Sequence, residues 1–158
     1  MIRARLISLS LASLLLLAPL NASASHYYLP DVEMFDAYAE AFGGQGWSTT
    51  RDVLAAIVTP EQRATVSTAT GIPVEELTTI AKFLELLQIE GIGPRAARLL
   101  QAANITSAAD LAARGPAELL TLLETTNEGF VYTSVHPSSH HVQGWIYEAS
   151  EVEFTVVE

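Results

Sequence analysis

The stretch Leu87-Gln88-Ile89-Glu90-Gly91-Ile92-Gly93-Pro94 sets the tightest limit on how this chain can fold. Glycine accepts positive φ and lets two backbones approach closely. Proline has its φ preset for a helix and lacks the N–H that a first helical residue leaves unbonded. Before the turn, Val74, Leu77, Ile80, Ala81, Leu84 and Leu87 recur at helical spacing; after it come Ala97, Leu99, Leu100 and Ala103. One helix must therefore stop, bend within a few residues and give way to another. Ala96 and Ala97 let the second lie close to the first, with Ile89 and Leu99 filling the space between.

Helix starts are marked elsewhere in the same way. Pro60, Pro73, Pro94 and Pro116 all stand where an apolar periodic run begins, so the sequence predicts many short helices with short connections. Met34, Phe35, Tyr38, Ala41 and Phe42 form a first helical face, which Gly43-Gly44-Gln45-Gly46 ends. Ser48 or Thr49 can cap a helix carrying Val53, Leu54, Ile57 and Val58. Thr59-Pro60-Glu61-Gln62 has the form of a capping box, and Gly71 closes that helix. Short helices follow from Thr106 and Pro116, and another begins after Pro137-Ser138-Ser139, with Val142, Trp145, Ile146 and Ala149 as its face. Two segments read differently. Phe130–Val135 and the alternation of Val152, Phe154 and Val156 suit a short C-terminal β ribbon or an extended tail. The expected fold class is all-α, with a lead-in at 25–31, a helical domain at 32–150 and a tail or strand at 151–158.

A shift of 58 residues brings two segments into register. Trp47-Ser48-Thr49-Thr50-Arg51-Asp52-Val53 falls on Ile105-Thr106-Ser107-Ala108-Ala109-Asp110-Leu111, and Ala39, Ala41 and Phe42 fall on Ala97, Leu99 and Leu100. Repeated helical hairpins bury each other's apolar faces. The first copy has Val32-Glu33-Met34-Phe35 in place of the glycine turn, which leaves one intact hairpin.

From Leu87 to Leu100 the chain resembles the helix-hairpin-helix motif. More widely, Thr70-Gly71-Ile72, Ile89 to Gly93, Ile105-Thr106-Ser107, Asp110-Leu111-Ala112 with Arg114, Asn127, and Val142 with Trp145-Ile146 resemble a bacterial family of tandem helix-hairpin-helix domains of unknown function. That resemblance spans roughly residues 32 to 150. It implies a pair of helical hairpin units and little about activity. The glycine-free first hairpin, the leader and the strand-like ends depart from the family's pattern.

Residues 1–24 read as a secretory signal. Arg3 and Arg5 precede an apolar run from Leu6 to Leu20, and Ala22-Ser23-Ala24 supplies a small-x-small cleavage site. The run is short for a membrane span, so cleavage after Ala24 and a periplasmic or secreted product without stable membrane insertion are expected. The whole chain has 8 basic and 18 acidic side chains; loss of Arg3 and Arg5 leaves 6 basic ones and a net charge of −12. Such a surface repels polyanions. Cysteine is absent, so the core must hold without disulfides. Asn104-Ile105-Thr106 matches a glycosylation acceptor, which matters only in a eukaryotic source.

Four functions are open to a chain of this kind. A protein-interaction or structural module of the cell envelope needs only a stable helical domain with a usable surface; Tyr27, Tyr28, Trp47 and Tyr132 are candidate contacts, although core packing suits Trp47 and Trp145 better. Nucleic-acid binding follows from the resemblance. Gly91, Ile92, Gly93, Arg95 and Arg98, aided by Lys82, would meet phosphate at the hairpin, against the net charge and Glu90. His136, His140 and His141, with His26, are weak metal candidates in what reads as a polar loop. No nucleophile elbow, phosphate loop or triad order appears, so no enzyme and no cofactor are expected.

Overall fold

The computed structural model describes residues 26–152 and 156–157; the expected signal peptide at 1–24 lies outside them. Eight α-helices occur there: α1 (Ala39–Gly44), α2 (Thr50–Ile57), α3 (Pro60–Thr70), α4 (Val74–Leu86), α5 (Pro94–Ala102), α6 (Ala108–Ala112), α7 (Pro116–Thr126) and α8 (Ser139–Glu151). The fold is all-α. The first apolar face is a 3-10 helix over Glu33–Tyr38 that passes directly into α1. The lead-in is tied down rather than loose: Tyr28 forms an isolated antiparallel bridge to Thr49, and a single 3-10 turn spans Leu29–Asp31. No helix among the described residues is long and apolar enough to cross a membrane.

Helices α2, α3 and α4 pack against one another. A second group sets α8 against α6 and α7, and α5 touches both α4 and α7. α4 lies at the centre. Its second half is apolar on almost every side, with Ile80, Ala81, Phe83, Leu84 and Leu86 all buried. Each of the larger ones, Ile80, Phe83, Leu84 and Leu86, contributes roughly 1.5–3 kcal/mol on leaving water. Aromatic rings close the other end, where Phe35 lies 6.0 Å from Phe42 and 6.2 Å from Phe83. Tyr38 donates to Glu76; burial first, and this bond second, push its phenol up to about 12.

The 58-residue repeat survives as matched backbone. Trp47 N–H donates to Phe42 C=O at 3.1 Å, and Ile105 N–H to Leu100 C=O at 2.9 Å. Gly46 (φ 78°) and Asn104 (φ 60°) supply the left-handed residue in the two copies. Thr49 Oγ1 accepts from Asp52 N–H, and Ser107 Oγ from Asp110 N–H. Asp52 and Asp110 in turn accept from the N–H groups of Ser48 and Thr106. The Ser48 backbone and the Thr49 hydroxyl hold the Asp52 carboxyl below its ordinary range. What recurs is a left-handed turn followed by a capped helix start.

The expected β ribbon is not present among the described residues. Over Phe130–Val135 the reason is local. The Asn127 side chain takes up the N–H groups of Tyr132 and Thr133 and the C=O of Thr133, which a partner strand would have used. Gly129 and Phe130 both have positive φ, so the chain turns instead of extending. Of the second segment, Phe154 lies outside the described residues, and Val152 and Val156 belong to no strand.

Candidate functional site

The bend between α4 and α5 is a four-residue turn closed by Ile92 N–H donating to Ile89 C=O at 3.1 Å. Gly91 is its third residue, with φ at 81°, which an L side chain adopts only at a cost of about 1–2 kcal/mol. A Cβ there would also lie 3.2 Å from Trp145 Nε1, so the α8 tryptophan fills the space a side chain would need. Gly93 differs. Its backbone is extended and caps α5, and a Cβ would meet only the Tyr27 hydroxyl at 3.5 Å, an ordinary contact. Ile92 between them is buried as a core plug. Trp145 is buried, as expected, whereas Trp47 is half-buried and its ring lies 5.7 Å from that of Phe42.

Downstream of the bend, α5 begins without a side-chain cap and with no acid in its first turn. Arg95 is exposed and makes no hydrogen bond or ion pair with the described residues. Arg98 is not free: its Nη1 lies 2.6 Å from Glu33 Oε2. Both arginines line a groove of about 560 Å³ whose far wall is Phe130, Val131, Tyr132 and Ser134. Of the remaining cations among the described residues, Arg51 is exposed on α2, Arg63 is buried, Arg114 is paired with Asp110 at 2.7 Å, and Lys82 is half-buried on α4. Glu90 is exposed at the bend.

The far wall is a built loop. Asn127 is fully buried at the end of α7. Its Oδ1 accepts from Tyr132 N–H at 3.0 Å and Thr133 N–H at 3.1 Å; its Nδ2 donates to Thr133 C=O at 3.0 Å and Thr133 Oγ1 at 2.9 Å. The loop it holds presents Phe130 at 55% exposure, Val131 at 71% and Val135 at 73%. Phe130 has φ at 57°, a conformation rare for an aromatic residue. The sequence pointed to Tyr132 as a candidate contact but not to the rest of this wall. Its signals were present in Asn127, between two helix-like runs, and in Glu128-Gly129, but the alternation that follows reads as a strand.

The histidines serve other contacts. His136 packs on Phe130, with ring centres 4.9 Å apart; His141 accepts or donates at Ser138 Oγ at 3.1 Å and stacks on Trp145. The charged neighbours of His26 are Arg51 and Asp52; burial, then Arg51, lower its pKa. No three His, Asp or Glu side chains gather as a metal-binding group among the described residues.

Residues 32–152 match the family described as Domain of unknown function (DUF4332). The chain belongs to this family. No curated protein and no solved structure matches it. In this family member the matched span includes the Gly91 bend, the Arg95–Arg98 face and the Asn127 loop, and it ends with α8 at its C-terminal limit.

Proposed function

We propose that this chain is an exported, non-enzymatic helix-hairpin-helix domain that binds a protein partner in the cell envelope, and that the groove between α5 and the Phe130 loop is the contact surface. The observation that carries the reading is Phe130 itself. A fully buried asparagine makes four hydrogen bonds to Tyr132 and Thr133, holding the loop on which an exposed aromatic ring keeps a strained backbone conformation. Strain of this kind persists only where the surroundings over-determine it, and it gathers at functional sites. Aromatic and arginine side chains are also the types that anchor protein interfaces. The helix-hairpin-helix assignment rests on the Gly91 turn between α4 and α5. Export rests on the leader and its Ala-x-Ala site.

A photo-crosslinking side chain placed at Val131 in cells tests this. One discrete adduct in the envelope fraction is expected, absent when the crosslinker sits at Thr121 on α7 and reduced at least tenfold by Phe130→Ala. No adduct from Val131, or an equal one from Thr121, sinks the reading.

A second reading is non-specific DNA binding at the hairpin. It is favoured by the uncapped start of α5 beside the unpaired Arg95, since free helix N–H groups suit phosphate. It is opposed by the net charge of −12, by Glu90 and by Glu33 on Arg98. Titration of labelled DNA at low salt is expected to show nothing tighter than about 10⁻⁴ M. Micromolar binding that Arg95→Glu abolishes would reverse the ranking.

A further inference from the structure

Two charged side chains in the core reach the same short piece of chain. Arg63 is 2% exposed and Glu85 1%. Arg63 Nη1 donates to the carbonyls of Ile57 at 3.1 Å and Val58 at 2.9 Å, the last turn of α2, so the guanidinium covers the negative end of that helix. Helix-end carbonyls thus stand in for a carboxylate partner. Nη2 is left to reach beyond them, and it meets the Val157 carbonyl at 2.6 Å. Val157 N–H donates back to Val58 C=O at 3.2 Å, and Val156 N–H lies 3.4 Å from Glu85 Oε2, a long bond. Arg63 Nε meets no acceptor among the described residues.

Among the described residues, every hydrogen bond made to Val156 and Val157 is to their main chain. Their side chains alternate as in a strand: Val156 packs against the core and Val157 is 51% exposed. If the segment left, the buried Nη2 of Arg63 would lose its acceptor, and a buried charge short of a partner is costly. The site is thus built to be filled.

We propose that Arg63, Glu85 and the Val58 carbonyl form a binding seat for one extended peptide segment, read by its main chain and by an inward β-branched side chain. This chain fills the seat with its own Val156-Val157, so the tail acts as an internal competitor for any segment of the same class. The seat is independent of the Phe130 groove.

The test uses full-length protein and a labelled peptide spanning residues 152–158. Val157→Pro removes the N–H that the seat requires and frees the seat without shortening the chain. The peptide is expected to bind this variant at least tenfold more tightly than the unmodified chain, where the tethered segment competes at millimolar effective concentration. Arg63→Met in the Val157→Pro background should weaken that binding at least tenfold. Equal binding to variant and unmodified chain, or indifference to Arg63→Met, overturns the proposal. If Val157→Pro does not fold, amide exchange in the unmodified chain decides. Val157 N–H should exchange at least a hundredfold more slowly than in a free peptide; exchange at the free rate overturns the seat.

Discussion

Two bends in this molecule carry positive φ and treat it in opposite ways. At Gly91 the residue is glycine, the strain is nil, and Trp145 occupies the place of the missing side chain. At Phe130 the residue is a large aromatic, the conformation is unfavourable, and the ring stands half in solvent. The first bend is what sequence and packing together would choose. The second is held against local preference by Asn127. The contrast separates a bend that serves the fold from one that serves a surface, because a fold gains nothing from displaying a strained phenylalanine.

Substitutions can break or sharpen that contrast. The largest effect is expected at Gly91→Ala. Left-handed strain of about 1–2 kcal/mol adds to crowding of Trp145, which is backed by His141 and has little room to give; overpacking of this sort costs roughly 1–3 kcal/mol. Urea unfolding should show a loss of about 2–5 kcal/mol, and a loss below about 1 would mean the hairpin is not set by this glycine. Next comes Asn127→Ala. It leaves the N–H groups of Tyr132 and Thr133 without an acceptor and should cost about 2–3 kcal/mol, with faster amide exchange confined to residues 128–136. Exchange that spreads to α7 and α8 would make Asn127 a core residue first and a loop anchor second. Asn104 calibrates the left-handed scale in the repeat: Asn104→Ala should cost about 1 kcal/mol, while Asn104→Gly should leave the melting temperature within a degree or two. Smallest is Phe130→Asn, since asparagine tolerates this conformation. Stability should rise by at most about 1 kcal/mol while crosslinking from Val131 is lost. A marked fall in stability would move Phe130 from the contact surface into the core.

Much of the helical framework was legible, for physical reasons that differ by residue. Thr59 with Gln62, Gly71, and the prolines at 60, 94 and 116 act over three or four positions, so their signals are local and complete. The repeat was legible because Thr49–Asp52 and Ser107–Asp110 make the same capping bonds. The role of Gly93 was over-read: two glycines in one motif look alike in sequence, yet only Gly91 needs its freedom. The Phe130 loop reads in sequence as a strand or an extended tail because its controlling contact comes from one side chain bonding to main chain five and six residues on, which leaves no mark in the alternation of side chains. Arg63 and Glu85 were hidden for a longer-range reason. Their partners on the C-terminal segment are 94 and 71 residues away in the chain, although Glu85 between Leu84 and Leu86 hinted at burial.

Glu85 has one more consequence. Besides reaching the tail, its Oε1 accepts from the N–H of Ala108, the opening residue of α6, at 3.2 Å. A side chain on α4, which lies outside the segments that the 58-residue shift superposes, thereby secures a helix of the second copy. Opening of α6 removes one partner from the buried Glu85, which ties that helix to α4 and to the tail, so unfolding of one part of the domain by itself is disfavoured. The domain should therefore melt in a single calorimetric step, with α4, α6 and the tail behaving as one cooperative unit and not as beads on a string.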